Sequence, residues 1–169
     1  MPDGPGSSGP DYDEDFYAWS QYQAEVLRSM PCDDNRFDRE NVAEEIEDLG
    51  KSEHRASESQ IIRVLEHFLK LTHSPTDRPR YGWMRSIAEA RRVLRKTMTA
   101  TLRRHAESEF AALYEDAREA ARLGLLENGE EQAAATLPDV CLYTLDQVLD
   151  RSWYPEPPRS SSEAEEGER

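Results

Sequence analysis

Three polar residues, Glu45, His67 and Arg91, stand beside apolar residues at helical spacing. Their carboxylate, imidazole and guanidinium groups are of the kinds that hold a metal ion or act as acid and base inside a helical bundle. An unpaired charge in such a setting is costly, so each residue is expected to pair or to reach water. The pattern therefore allows two interpretations, a small site inside the protein or an ion pair that only supports the fold.

The motifs around these residues favour the structural interpretation. Metal-binding bundles use Glu-x-x-His pairs on facing helices, and the sequence contains no such pair and no His-x-x-x-His pair. We therefore predict an ion pair between Glu45 and Arg91, with His67 capping or hydrogen bonding nearby, and we expect no metal and no cofactor. A ligand or metal site built from the same three residues is the alternative.

Other candidates for chemistry are weaker. Cys141 lies between Val140 and Leu142, which favours a buried thiol, and Cys32 is likewise expected to stay reduced. Ser52 follows Gly50 and Lys51, but position 45 lacks the glycine that a phosphate-binding loop requires. No catalytic residue is predicted.

Charge is strongly segregated along the chain, which has a net charge of −14. Residues 1–60 hold 16 acidic and 5 basic residues, whereas residues 80–104 hold eight basic residues and one acid, Glu89. The candidate basic surface consists of Arg85, Arg92, Arg95, Lys96, Arg103 and Arg104. Such a surface can grip nucleic-acid phosphates, but no nucleic-acid motif accompanies it, so a solvated basic helix beside an acidic one is favoured.

The apolar periodicity predicts four main helices, over about residues 13–30, 38–72, 83–97 and 100–123. The predicted apolar row of the second helix consists of Val42, Ile46, Leu49, Ala56, Val64 and Leu71. Gly50 falls inside this helix, where glycine favours a kink or a break, and Gly124 is expected to end the fourth helix. Thr144 and Gln147 form a capping-box pattern that predicts a short helix from Leu145. No alternating strand pattern occurs, so the predicted fold is an all-α, single-domain bundle of about four main helices plus a short C-terminal helix.

Composition sets the limits of the domain. Residues 1–11 and 157–169 are rich in Gly, Pro, Ser or charge, which predicts disordered tails around a helical domain at residues 12–156. No apolar run approaches the roughly 20 residues that span a bilayer, and the first residues do not resemble a signal peptide. We expect an acidic, cytoplasmic protein without membrane contact.

Five segments carry a resemblance to a known family. They are Asp-Phe-Tyr-Ala-Trp at 15–19, Glu-Asn-Val-Ala-Glu-Glu-Ile-Glu-Asp-Leu-Gly-Lys-Ser-Glu at 40–53, His-Phe-Leu-Lys at 67–70, Trp-Met-Arg-Ser-Ile at 83–87, and the block at 137–145. Together they resemble the bacterial family called domain of unknown function 29, over roughly residues 12–156. The resemblance implies a compact helical protein and brings no activity, cofactor or catalytic residue with it.

These observations favour a non-enzymatic helical module that binds a protein partner or a second copy of itself. The acidic second helix and the basic third helix are suited to steering such a partner. Two alternatives are an enzyme or metal-binding protein with a site at Glu45, His67 and Arg91, and a nucleic-acid-linked regulatory protein that uses residues 80–104. Nucleic acid is disfavoured as a partner because the chain as a whole is acidic.

Overall fold

The computed structural model describes residues 9–32, 34, 36–77 and 79–156, and helices are the regular elements of these residues. The helices are α1 (Phe16–Ser29), α2 (Arg39–His73), α3 (Arg80–Thr97), α4 (Ala100–Ser108), α5 (Phe110–Glu127), α6 (Glu131–Ala135) and α7 (Leu145–Leu149). The predicted all-α class is confirmed. The predicted tails lie outside the described residues, apart from residues 9–11.

Local signals place several helix ends where the sequence predicts them. The Asp15 carboxylate accepts a hydrogen bond from the Ala18 amide and caps α1. The capping box of α7 is present, because the Thr144 and Gln147 side chains each bond the other residue's backbone. Short-range chemistry therefore decided these boundaries.

Two predicted boundaries were wrong. The predicted fourth helix is interrupted at Glu109, which separates α4 from α5. The second of these helices then continues through Gly124 to Glu127, and the left-handed Gly129, with φ of 74°, follows its end. A Cβ atom at Gly124 would lie 2.3 Å from Lys70 Nζ, so this glycine makes room for a lysine side chain.

The chain divides into two compact units. The first contains residues 1–57 and 97–105, and the second contains residues 58–96 and 106–169. In the first unit α1 packs against the N-terminal part of α2, which runs unbroken through Gly50. In the second unit the buried core is formed by the C-terminal part of α2 together with α3, α5 and α7, and it includes Phe68, Ile87, Tyr114 and Val148.

No helix within the described ranges combines the length and the apolar character needed to cross a membrane.

Candidate functional site

Arg91 is the charged residue around which the second unit is organised. Its side chain points into the unit from α3, and the residue is only 3% exposed. Its Nε donates to the Val148 carbonyl at 2.8 Å, Nη2 to the Gln147 carbonyl at 2.7 Å, and Nη1 to the Trp153 carbonyl at 2.9 Å. Carbonyls at a helix C-terminus lack partners within the helix, so Arg91 satisfies the end of α7 and holds the chain that follows it.

Aromatic rings enclose the same guanidinium group. Its central carbon lies 5.3 Å from the Phe68 ring centroid and 5.1 Å from that of Tyr154. The Phe68 ring also contacts the rings of Tyr143 and Trp153, at 5.2 and 5.0 Å. Cation–π contacts of this kind strengthen when they are shielded from water. Arg91 thus joins α2, α3 and the C-terminal segment of the unit.

Burial lowers the pKa of Arg91, and the neighbouring Tyr154 and Asp150 oppose that shift. An arginine starts from so high a pKa that it keeps its charge at neutral pH. Arg91 therefore remains a cation although its surroundings are largely apolar.

The solvent-facing side of α3, next to Arg91, carries a row of exposed residues. They are Tyr81, Arg85, Ala88, Arg92 and Arg95, and we call this row the α3 stripe. Alternating spacings of four and three residues keep them on one face over about 21 Å of helix. Tyr81 is 84% exposed, an unusual position for a large aromatic side chain.

A cavity of about 230 Å³ opens beside this row, and we call it the arginine cavity. Its lining residues are Ala88, Arg91, Arg92, Arg95 and Arg151. Glu89 lies 3.4 Å from Arg92, but Arg95 and Arg151 have no ion-pair partner within the described part of the chain. Guanidinium groups match the two oxygens of a carboxylate or the oxygens of a phosphate, so the cavity is suited to an anionic group.

His67, the second predicted site residue, is partly buried on α2 in the second unit. Its Nδ1 atom is shielded from solvent and has no hydrogen-bond partner among the described residues. Burial lowers the pKa of His67, and Lys70 and Arg63 lower it further while Glu66 raises it. The imidazole is therefore neutral at pH 7. It is also not among the groups to which Arg91 donates hydrogen bonds, which are the carbonyls of Val148, Trp153 and Gln147.

Glu45 is not where the sequence pattern predicts it. It lies in the first unit and is exposed, together with Val42 and Leu49 of the same predicted apolar row. The buried side of this part of α2 carries Ala43 and Gly50 instead. The interpretation of Arg91 as half of an ion pair with Glu45 is corrected as well, since backbone carbonyls accept its hydrogen bonds.

The six residues of the predicted basic surface belong to two different helices and two different units. Arg85, Arg92, Arg95 and Lys96 are exposed on α3 and belong to the second unit. Arg103 and Arg104 lie on α4 in the first unit. Arg151 and Tyr81 were not predicted, because Arg151 reaches the cavity from a distant part of the chain, while Tyr81 precedes the residue at which the sequence pattern starts the helix.

A second cluster that the sequence did not reveal lies in the first unit. The rings of Tyr17, His54 and His105 come from α1, α2 and α4, and their centroids lie 5.2 to 5.4 Å apart. No group of three or more His, Cys, Asp or Glu residues suited to a metal ion occurs in the described ranges. The geometry of these rings is that of packed aromatic side chains.

Cys141 is half-buried, and its thiol lies 3.5 Å from the Tyr143 carbonyl. Burial raises the pKa of Cys141 and thus favours the neutral thiol, which is a weaker nucleophile than the thiolate.

Comparison with known proteins places the whole described fold in one family. The family model for DUF29, a domain of unknown function, matches residues 12–154. A crystal structure of an alpha-helical protein of unknown function from Rhodospirillum rubrum is similar, with 25% sequence identity and a TM-score of 0.73. That match covers 86% of this chain and 92% of the other. Comparison with curated proteins gave no significant match.

Proposed function

We propose that this chain, a member of the DUF29 family of unknown function, binds an acidic segment of another protein along the α3 stripe. Since the family supplies no activity, the proposal rests on the residues exposed on this protein's own surface. The observation that carries the proposal is the row of exposed arginines beside the arginine cavity. Only Arg92 in that row has an acidic neighbour within ion-pair distance among the described residues, so charge is available for a partner.

The composition of the stripe supports a protein as the partner. Tyrosine and arginine are enriched among the residues that contribute most to protein–protein binding. Ala88 separates Arg85 from Arg92 and leaves space in which a partner side chain can approach the helix. Bidentate pairing between guanidinium and carboxylate groups would then fix the orientation of an acidic segment.

Nucleic acid is a poorer match. Binding to a nucleic acid depends largely on how many phosphates lysines and arginines neutralise, and the cavity offers four arginines, one of which is largely used within the protein. The chain also carries a net charge of −14, which repels a long polyanion. A second copy of this chain is the other competing partner, since residues 1–60 are strongly acidic.

The test is binding of a fluorescein-labelled peptide of ten glutamates to the full chain, followed by fluorescence anisotropy at low and high salt. We expect salt-sensitive binding that weakens about three- to tenfold in the double variant Arg92→Gln/Arg95→Gln. The matched control is Arg63→Gln/Arg104→Gln, which removes two exposed arginines outside the stripe and should bind as the unchanged protein does.

Equal weakening by both pairs of substitutions would refute the proposal, because net charge alone would then explain binding. Tighter, salt-sensitive binding of a 20-nucleotide single strand would favour the nucleic-acid alternative. Salt-sensitive dimerisation that Arg92→Gln/Arg95→Gln abolishes would identify a second copy as the partner.

A further inference from the structure

We infer that residues 160–168 of this same chain occupy the arginine cavity and compete there with the acidic partner. The inference rests on the proposed function of the α3 stripe, and it adds an occupant and a mode of regulation. The contact is intramolecular and joins residues 160–168 to a surface of the second unit, which also contains the last described residue, Glu156.

Charge complementarity is the first argument. Residues 160–168 read Ser-Ser-Ser-Glu-Ala-Glu-Glu-Gly-Glu, with four glutamates and no basic residue. The arginine cavity presents guanidinium groups from two places in the chain, α3 and Arg151. Among the described residues, Arg95 and Arg151 have no ion-pair partner that would compete for such carboxylates.

The chain between Tyr154 and Glu163 is long enough to bring the glutamates to the arginine cavity. The Tyr154 ring lies 5.1 Å from the guanidinium of Arg91, which lines the cavity. The chain therefore passes close to the cavity shortly before residues 160–168. Glu163 comes nine positions after Tyr154, and an extended chain of that length spans up to about 30 Å. That span exceeds the roughly 21 Å length of the α3 stripe.

Because residues 160–168 are joined to the second unit by a short stretch of chain, even a weak contact would fill the cavity for much of the time. Covalent connection through a short stretch of chain gives two groups an effective concentration on the order of millimolar. An ionic contact with an intrinsic dissociation constant near that concentration is then occupied about half of the time, and a contact tenfold stronger is occupied about nine-tenths of the time. The apparent affinity for an outside ligand falls in proportion to the fraction of free cavity. We therefore expect the tail to weaken partner binding by about two- to tenfold.

The experiment uses the full chain and the labelled ten-glutamate peptide. The test variant is Glu163→Gln/Glu165→Gln/Glu166→Gln/Glu168→Gln, which neutralises the tail without removing it. The matched control is Glu14→Gln/Glu25→Gln/Glu44→Gln/Glu45→Gln, which makes the same change in net charge at exposed positions of the first unit. We expect the tail variant to bind the peptide two- to tenfold more tightly than the control variant does.

A second measurement detects the contact without any peptide. The Nε–H signals of Arg92, Arg95 and Arg151 in nitrogen-15 spectra should differ between the unchanged protein and the tail variant, and should not depend on protein concentration. Concentration-dependent shifts would overturn the intramolecular claim, because the tail would then bind a second copy.

Failure of this inference is distinguishable from failure of the proposed function. If the tail variant and its control bind the peptide equally while Arg92→Gln/Arg95→Gln still weakens binding, the tail is not the occupant and the α3 stripe remains a binding surface. If no variant binds the peptide in a way that depends on Arg92 and Arg95, both conclusions fall.

Discussion

The two units bring their helices together in opposite ways. In the first unit the contact between α1 and α2 is made by small residues, with Ser20, Ala24, Ala43 and Gly50 all buried. In the second unit large side chains fill the interior, and a long charged one, Arg91, joins α3 to the C-terminal segment. The first unit is therefore sensitive to added atoms and the second to removed ones.

In the first unit α1 and α2 approach each other closely at Ser20 and Gly50. A Cβ atom on Gly50 would lie 1.9 Å from Ser20 Oγ, closer than any real contact. Around this point the Gln21 side chain donates to the Glu47 carbonyl at 3.1 Å, and Arg28 pairs with Glu47 at 2.6 Å. Glycine and serine thus let polar groups of two helices reach each other's backbone and side chains.

The largest effect is expected for Arg91→Met. Methionine keeps part of the apolar stem but leaves the carbonyls of Gln147, Val148 and Trp153 without their donor. Loss of hydrogen bonds from a buried charge predicts that the free energy of unfolding falls by about 3–5 kcal/mol. Urea unfolding followed by far-ultraviolet circular dichroism measures it.

The control for that substitution is Arg92→Met, one residue along the same helix and exposed. We expect this change to stay within about 0.5 kcal/mol. Similar losses for the two variants would mean that the hydrogen bonds of Arg91 do not stabilise the second unit.

An intermediate effect is expected for Gly50→Ala. The added methyl group would collide with Ser20, and overpacking of this kind costs about 1–3 kcal/mol. The matched control is Gly82→Ala on α3, where a Cβ atom meets open space and better helix propensity should stabilise by up to about 1 kcal/mol.

A double variant sharpens this prediction. Ser20→Ala removes the oxygen that the new methyl group would strike, and should therefore recover part of the stability that Gly50→Ala loses. Strictly additive losses from the two substitutions would show that Ser20 and Gly50 do not limit the approach of α1 to α2.

The smallest effect concerns pH and His67. Burial lowers the pKa of His67 in the folded protein, so the unfolded chain takes up a proton first as the pH falls below about 6.5. This difference adds to the free energy of unfolding above pH 6.5. The added free energy is lost as the pH falls from there through the pKa of His67 in the folded protein. We expect His67→Gln to lose less unfolding free energy between pH 7.5 and 5.5 than the unchanged protein does.

Urea unfolding of both proteins at the two pH values provides the comparison, and taking the difference between pH values cancels any pH-independent effect of the substitution. His73, whose pKa burial also lowers, keeps a residual slope in both proteins. Identical slopes would rule out His67 as a buried neutral group.

The sequence predicted the helical class well, but assigned the buried face of α2 correctly only in its second half. Val64 and Leu71 are buried as predicted, whereas Val42 is 37% and Leu49 57% exposed. The apolar row in the first half was misleading because small residues, which carry little hydrophobic signal, make the contact there. Arg91 is buried in the second unit, and its partners are backbone carbonyls that no side-chain pattern reveals.

What the sequence determined by itself is local: the helical class and the capping box of α7. These depend on residues within a few positions of one another, whose hydrogen bonds and dihedral preferences act over one helical turn. Only the tertiary structure decided that Arg151 joins the α3 arginines around one cavity, and that Tyr17, His54 and His105 meet. Such meetings depend on packing between elements distant along the chain, and periodicity within one helix carries no information about them.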